Sequence, residues 1–405
     1  MTAPTINLPS EMNNDSITAV LRALTADGQI VRFVGGCVRD AILNRPLADI
    51  DLATPDVPQK VIELLQRAHI KFVPTGIDHG TITAISGAKA YQVTTLRRDI
   101  ETDGRHATVT FTDNWAEDAA RRDFTMNAIY CDGAGHLFDP LGAGIEDARA
   151  GRVRFVGNAA DRIGEDYLRI LRFFRFYAHY GQMDLNRSEL EACRSAAAHL
   201  QRLSAERVRD EFLKLLAARQ AARILQLMLD YDVLPQIISA AQFAMINSLA
   251  GLEMHSDAVR RLAALMIENH LNADDLAARF KLSNEQKERL EFLQRGFAAR
   301  TTPTPQEWQK IIYYAGQSRA VDLAYLWAAE GLWEDYKFAE NLQLALQWQD
   351  RRLPVGGEDL IALGIPQGPK LGEYLAAVES WWVEGNFSAG REQCLAHLRQ
   401  LAGLA

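Results

Sequence analysis

Asp49 and Asp51, two residues apart in "RPLADIDLATP", form the pair best suited to chemistry in this chain. On an extended strand both side chains point to one face, and Ile50 points to the other. Two ionised carboxylates this close repel each other unless a cation lies between them. Ligation by oxygen alone suits Mg2+, which keeps waters and takes its remaining ligands from substrate phosphates. Two such ions can activate an attacking hydroxyl and stabilise a leaving phosphate oxygen. An exposed strand with two solvated acids has the same spacing, so context has to decide. Upstream, "VGGCVRD" sets Gly35 and Gly36 between an apolar strand and a helix start, with Arg39 in the first helical turn. Glycines there let backbone N–H groups approach phosphates, and the guanidinium is within reach of the same oxygens.

A second stretch, "GEDYLRILRFFRFYAHYG" at 164–181, carries Asp166, Arg169, Arg172 and Arg175 at every third position, with apolar or aromatic residues in almost every gap. The spacing predicts a helix, and a helix this apolar on all sides is normally buried. A guanidinium does not lose its proton, so burial requires partners. Successive i+3 steps rotate by about 60°, so the three arginines fan out and cannot all read one base. Snorkelling toward solvent is the structural alternative for the later two.

The elements that must position these residues fall into two textures. Residues 29–140 alternate strands and helices: "QIVRFVGG", "LADIDLAT", "KFVPTG", "GTITAIS" and "KAYQVTTL" read as strands, and "VPQKVIELLQRA" reads as a helix with Pro near its first turn. From about residue 158 strand signals vanish and Ala/Leu/Arg-rich helical segments continue. "RTTPTPQEWQK" reads as a linker that starts a new helix, with Thr304 as N-cap and Pro305 in the first turn. Six of the seven tryptophans lie beyond residue 300, where helix packing accounts for them. The expected fold class is an α/β head built on a mixed sheet with helices, followed by an all-α neck, body and tail in an elongated multidomain chain. The expected bounds are 1–150, 151–235, 236–300 and 301–405.

Charge and composition exclude several classes. The 405 residues carry a formal charge of −8, which does not suggest a nucleic-acid binder, but the charge is uneven. Residues 151–223 hold fourteen Arg/Lys against nine Asp/Glu, a basic middle in an acidic chain. Such a patch suits a phosphate backbone, and Arg-rich exposed helix faces give the same count. No stretch approaches the ~18 consecutive apolar residues of a membrane span. The first fifteen residues lack a basic start and an apolar run, which argues against a signal peptide. Cys37, Cys131, Cys193 and Cys394 form no CxxC pair, which argues against a zinc site and fits a reducing cytoplasm. His79 and His106 read as polar loop residues.

"GGCVRD" followed by "DIDLAT" resembles the opening of the class II CCA-adding enzyme and bacterial poly(A) polymerase family, within the nucleotidyltransferase superfamily. "RRDFTMNA" (121–128), "DPLGAGIEDARAGRVRFVG" (139–157) and "EDYLRILRFFRF" (165–176) follow in the family's order, and "GEDLIALGIPQGPKLGEYL" (357–375) is similar to the tail of CCA-adding enzymes. The resemblance implies that Gly35, Gly36, Arg39 and Arg122 hold the nucleotide triphosphate, and that Asp49 and Asp51 are catalytic and bind Mg2+. It implies that Asp166, Arg169, Arg172 and Arg175 form the nucleotide-recognition motif, with looser phosphate contacts for the later two. Asp123 and Asn127 either brace the site or cap a helix.

Physical chemistry supports the recognition motif. A carboxylate only accepts hydrogen bonds and a guanidinium only donates. Cytosine offers an amino donor beside the N3 acceptor, and adenine offers an amino donor beside N1. An Asp166–Arg169 edge on one helix face fits both, whereas uracil and guanine present a carbonyl and an N–H there. The family strand often carries Glu where "AYQVTTLRRD" has Gln92, which puts a third acidic contribution in doubt. "RRDIETDGRH" (97–106) is polar and turn-rich, as a mobile loop should be, and resembles the loop with which CCA-adding enzymes switch from C to A. "GIDHGTITA" (76–84) likewise resembles CCA-adding enzymes rather than poly(A) polymerases. The expected function is template-independent addition of C, C and A to the 3′ end of tRNA from CTP and ATP, in the cytoplasm, with no membrane association and no obligate protein partner evident. Poly(A) addition and an RNA-binding relative without catalysis are the alternatives.

Overall fold

The structure is a computed structural model that describes residues 4–27, 30–102, 107–182, 185–299 and 302–403. The chain divides into two units, Met1–Ala241 and Gln242–Ala405.

The first unit begins with α1 (Asp15–Leu24), whose first backbone N–H groups are accepted by the Asn14 side chain. β1 (Arg32–Val34), α2 (Gly36–Ile42), β2 (Asp51–Thr54), α3 (Pro58–Arg67), β3 (Lys71–Gly76), β4 (Thr81–Ser86) and β5 (Lys89–Thr95) follow. β6 (Arg97–Thr102) and β7 (Ala107–Phe111) form a separate two-stranded sheet, then α4 (Trp115–Ala120), β8 (Tyr130–Cys131) and β9 (Leu137–Phe138) complete the head. The main sheet runs β3-β4-β5-β2-β1-β8-β9, with β2 and β5 parallel and the other pairs antiparallel. It is the mixed sheet expected. The segment expected to be a loop at 97–106 instead opens as a strand paired with β7, and residues 103–106, with His106, lie outside the described residues.

Alternation along the central strands assigns the two faces of the sheet. Phe33, Leu52 and Val93 are fully buried, on the side that meets α1 and α3 through Ile17, Val20, Val61 and Leu64. Val34, Ala53 and Tyr130 build a second core on the opposite side, joined by Leu96, Ala119, Ala128 and Val156. Asp51 stands one position before the core residue Leu52 and so shares the face of Ala53.

The helical remainder of this unit comprises α5 (Gly144–Ala150), α6 (Ala159–Glu165), α7 (Leu168–Tyr180), α8 (Arg187–Ala196), α9 (Ala205–Leu216) and α10 (Ala221–Asp230). α7 buries Leu168, Ile170, Leu171, Phe173, Phe174, Phe176, Tyr177 and Ala178, because α6, α9 and α10 all pack on it. Phe155 stacks on Phe173 with centroids 5.3 Å apart, while Phe124 contacts Phe155 at 5.1 Å and Phe176 at 4.9 Å. These rings join three stretches distant in sequence, "RRDF", "VRFVG" and "LRFFRF", into one cluster.

The second unit is helical among its described residues: α11 (Ala244–Leu252), α12 (Ala258–Glu268), α13 (Ala273–Phe280), α14 (Asn284–Ala298), α15 (Pro305–Ala315), α16 (Gln317–Ala329), α17 (Asp335–Leu346), α18 (Gly357–Ala362), α19 (Pro369–Glu384) and α20 (Arg391–Leu401). Thr304 caps α15 in a reciprocal capping box with Glu307, as its sequence indicates. Trp308, Trp327 and Trp333 pack together in the core, and Trp382 anchors a second cluster with Val378, Phe387 and Leu398. No helix among the described residues is long and apolar enough to cross a membrane.

Deleting a large buried ring typically costs about 3–5 kcal/mol, and Phe173→Ala is expected in that range by chemical denaturation because its cavity opens inside the aromatic cluster. A loss below about 1 kcal/mol would show that the cluster does not hold the motifs together.

Candidate active site

The glycine turn is built first. Gly35 has φ +75°, in the left-handed region that a side chain disfavours, and serves as the N-cap of α2. A β-carbon on Gly35 would lie 3.4 Å from Arg122 Nη1, and one on Gly36 would lie 3.6 Å from Arg39 Nη2. Two guanidiniums therefore flank the turn at ordinary contact distance, and the positive φ at Gly35 is what calls for glycine there.

Asp51 begins β2 and Asp49 directly precedes it, while Ile50 between them is buried. The predicted division of faces is therefore present: Asp49 is exposed and Asp51 half-buried on the side away from Ile50. Burial raises the Asp51 carboxyl above its ordinary range; Arg122 pulls it down, and Asp49 pushes it up. A cation held by the two carboxylates would relieve both the burial penalty and the mutual repulsion. Among the described residues no group of three or more His, Cys, Asp or Glu side chains could hold a metal, so further ligands would have to come from substrate and water. Gln92 on β5 is in register with Asp51. The position of the possible third acid is thus beside the pair, occupied here by an amide.

Arg122 approaches the turn from α4. Its Nη2 donates to Asp118 at 3.0 Å, and its Nε is buried without a protein partner. Arg39 is placed differently from the expectation of a free phosphate ligand. Only 6% exposed, it donates to Asn127 Oδ1 at 2.6 Å, to the Tyr180 hydroxyl at 2.6 Å and to both oxygens of Asp40. In this arrangement it braces the turn from behind.

From Asn127 the bonds continue. Asn127 Nδ2 donates to Asp123 Oδ1 at 3.0 Å, and Arg172 Nε donates to Asp123 Oδ2 at 2.9 Å. Arg172 Nη1 lies 3.5 Å from Glu211, which accepts from Arg175 Nε at 2.5 Å. Arg172 and Arg175, expected to make looser phosphate contacts, are tied here to the half-buried Asp123 and the buried Glu211. Asp123 and Asn127 take the bracing role rather than that of helix caps.

Asp166 also departs from the expectation of a residue inside the helix. With φ −155° and ψ 107° it is extended, in the break between α6 and α7. Its Oδ1 accepts the Leu168 N–H at 3.1 Å, and its Oδ2 pairs with Arg207 at 2.6 Å. Arg169 sits in the first turn of α7, and its Nη1 donates to Glu165 and to the Arg162 carbonyl. Asp166 and Arg169 remain three residues apart at one helix start, joined through the bond from Arg169 N to Asp166 O at 3.0 Å. Glu165, Arg207, Glu211, Asp118 and Tyr180 were not singled out from sequence. Asp118 stands i+3 and i+4 from Arg121 and Arg122, and Glu165 stands i+4 from Arg169, so local spacing signals those two. Arg207 and Glu211 lie on α9, and no local signal links them to α7.

Residues 31–154 match the family described as "Poly A polymerase head domain", residues 182–244 "Probable RNA and SrmB- binding site of polymerase A", and residues 252–398 "tRNA nucleotidyltransferase domain 2". The chain is 32% identical to human "CCA tRNA nucleotidyltransferase 1, mitochondrial", over 98% of this chain and 93% of that protein. It is 32% identical to the "CCA-adding enzyme" of Streptococcus mutans, covering 97% and 98%. The crystal structure of Bacillus stearothermophilus CCA-adding enzyme in complex with CTP superposes with a TM-score of 0.77 at 29% identity, covering 96% and 97% of the two chains.

Asp123 supplies a test of this geometry. Burial opposes its ionisation, yet Arg172, Asn127 and the Phe124 N–H hold its pKa down to about 2. A folded value below the ordinary ~3.9 means the stabilisation is complete above about pH 4 and is lost as pH falls. Asp123→Asn is expected to flatten the acid side of the stability–pH curve between about pH 4 and 2. Equal slopes for both proteins in acid-unfolding titrations would contradict the ion pair. With its motifs in order and its relatives matched over more than nine-tenths of their length, the chain belongs to the CCA tRNA nucleotidyltransferase family.

Proposed function

We propose that this protein adds C, C and A to the 3′ end of tRNA from CTP and ATP, without a nucleic-acid template and with release of pyrophosphate. The observation that carries this reading is the convergence on one sheet face of the Gly35–Gly36 turn, Arg122 and the Asp49/Asp51 pair, in a chain matched end to end by CCA-adding relatives.

In this reading Gly35 and Gly36 leave room for the triphosphate, and Arg122 turns its unpartnered Nε–H and its charge toward phosphate oxygens. Asp49 and Asp51 would hold Mg2+, for which an all-oxygen pair of carboxylates is a suitable donor set. When bound, the metal supplies charge stabilisation at the phosphates and a more acidic 3′-hydroxyl. The chain's own contribution is placement of the attacking hydroxyl and the α-phosphate in line, where positioning and fixed charge carry most of the acceleration. Gln92, an amide, accepts and donates hydrogen bonds but cannot serve as a base.

Asp166 and Arg169 select the base. Each Asp166 oxygen accepts one protein donor, and a carboxylate oxygen has capacity for a second, such as the amino group of cytosine or adenine. The Arg169 bonds leave from Nη1, so other N–H groups of its guanidinium can donate to the ring acceptor beside that amino group. The basic segment 151–223 contacts the tRNA backbone, and the helical second unit holds the body of the tRNA through shape. Four buried, unpaired cysteines suit a reducing compartment, and we place the protein in the cytoplasm.

The test is to incubate tRNA ending at its discriminator base with Mg2+ and each nucleotide singly and together, then to sequence the products. CTP alone is expected to give two added residues, and CTP with ATP the full CCA. Asp49→Ala is expected to abolish incorporation while tRNA binding persists. Long A tails on RNA other than tRNA would make the protein a poly(A) polymerase. No incorporation by the unaltered protein would leave an RNA-binding relative.

A further inference from the structure

Among the described residues of the head, Asp118 is a carboxylate shared by several donors, and nothing in the reading above uses it. It is 1% exposed on α4 and accepts from Arg121 Nε at 2.9 Å and Nη2 at 2.7 Å, from Arg122 Nη2 at 3.0 Å and from the Tyr130 hydroxyl at 2.7 Å. It also accepts the backbone N–H of Arg97 at 3.3 Å. Arg97 is the first residue of β6, so one carboxylate oxygen is shared between the base of the β6–β7 hairpin and Arg121. The preceding residue, Glu117, accepts the Thr112 hydroxyl at 2.8 Å directly after β7. α4 therefore grips the hairpin at both strands and carries Arg122 just past its other end.

Asp118 faces two guanidiniums, and one of them, Arg122, also faces Asp51, so Arg122 stands between this anchor and the carboxylate pair. Arg122 is the guanidinium against the Gly35 turn, it favours the ionised form of Asp51, and its Nε has no protein partner. A long side chain of this kind adopts many rotamers unless a fixed acceptor selects one, and Asp118 with its four other bonds is such an acceptor. Burial works against the charge on Asp118, but Arg122, Arg121 and Tyr130 outweigh it and hold the carboxyl at about 2, so the anchor stays ionised at neutral pH.

We propose that Asp118 is a positioning residue for nucleotide transfer: it aims Arg122 at the Gly35 turn and ties the base of the β6–β7 hairpin to that guanidinium. The inference rests on the nucleotidyl-transfer reading and adds to it a residue that never touches the nucleotide. A carboxylate that merely stabilised the fold would weaken the protein in any background. One that acts through Arg122 has no further effect once Arg122 is gone.

Steady-state kinetics on tRNA lacking its CCA end would separate the two, using Asp118→Asn, Arg122→Ala and the double variant. Asp118→Asn is expected to lower kcat/KM for CTP and ATP by about a hundredfold, mainly through KM for the nucleotide. The double variant is expected to match Arg122→Ala to within about twofold, because the two residues act as a unit. Losses that multiply, or an unchanged nucleotide KM in Asp118→Asn, would overturn the proposal. If Asp118→Asn does not fold by circular dichroism, the same cycle is run with Tyr130→Phe, which removes one anchoring bond. That substitution is expected to raise nucleotide KM in the native background and not in Arg122→Ala; any other pattern overturns the proposal. An inactive unaltered protein would overturn the transfer reading and this proposal with it, whereas an active one with multiplying losses overturns this proposal alone.

Discussion

The geometry of the site depends on a line of buried and half-buried polar groups, most of them charged, each of which has a partner. Arg39, Asn127, Asp123 and Arg172 are joined in sequence by hydrogen bonds of 2.6, 3.0 and 2.9 Å, Arg172 forms an ion pair with Glu211 at 3.5 Å, and Arg175 bonds Glu211 at 2.5 Å. Breaking such a pair by removing one member typically costs about 3–5 kcal/mol, because a charge is left uncompensated away from water. Replacing the whole set with apolar groups could be equally stable, so stability alone does not explain it. What the charges add is direction. Each donor and acceptor has to face its partner, and this sets α2 behind the glycine turn, the 123–127 turn against α7, and α7 against α9.

Around that line the first unit separates two tasks. The sheet sets the transfer site by alternation: Ile50 and Leu52 bury into one core, so Asp49 and Asp51 have to face the other way, beside Gln92 and Arg122. In the proposed function, reading the base falls to the start of α7, where Asp166 has left the helix and Arg169 has entered it. The aromatic cluster of Phe124, Phe155, Phe173 and Phe176 fills the space between them and leaves the charged side chains few alternative positions. The opposing requirements of α7, apolar enough to bury and charged enough to orient, are thus met by the same residues at alternate positions.

Much of this was legible in the sequence, and for identifiable reasons. β-branched runs bounded by glycine gave the strands of the head, and the Asp49/Asp51 spacing gave a shared face, because both are local properties of an extended chain. The Thr304 cap followed from local chemistry too. Residues 164–181 were misread in part. Threefold spacing signalled a helix but could not show that Asp166 lies in a break, held by the Leu168 N–H and Arg207. Nor could spacing show that Arg172 and Arg175 face Asp123 and Glu211, which are 49 and 36 residues away in the chain. The polar composition of the 97–106 segment suggests a loop, yet its first residues pair with β7, because strand pairing draws on backbone groups that every residue has.

The central claim is that a protein edge, Asp166 and Arg169 held by Arg207 and Glu165 at the start of α7, replaces a nucleic-acid template in choosing C and A. Its most direct measurement is the relative incorporation of CTP, ATP, UTP and GTP into tRNA lacking its 3′ end by the unaltered protein and by Asp166→Ala. The account predicts that the unaltered protein rejects UTP and GTP and that Asp166→Ala loses much of that discrimination. Undiminished rejection of UTP and GTP by an active Asp166→Ala protein would contradict it.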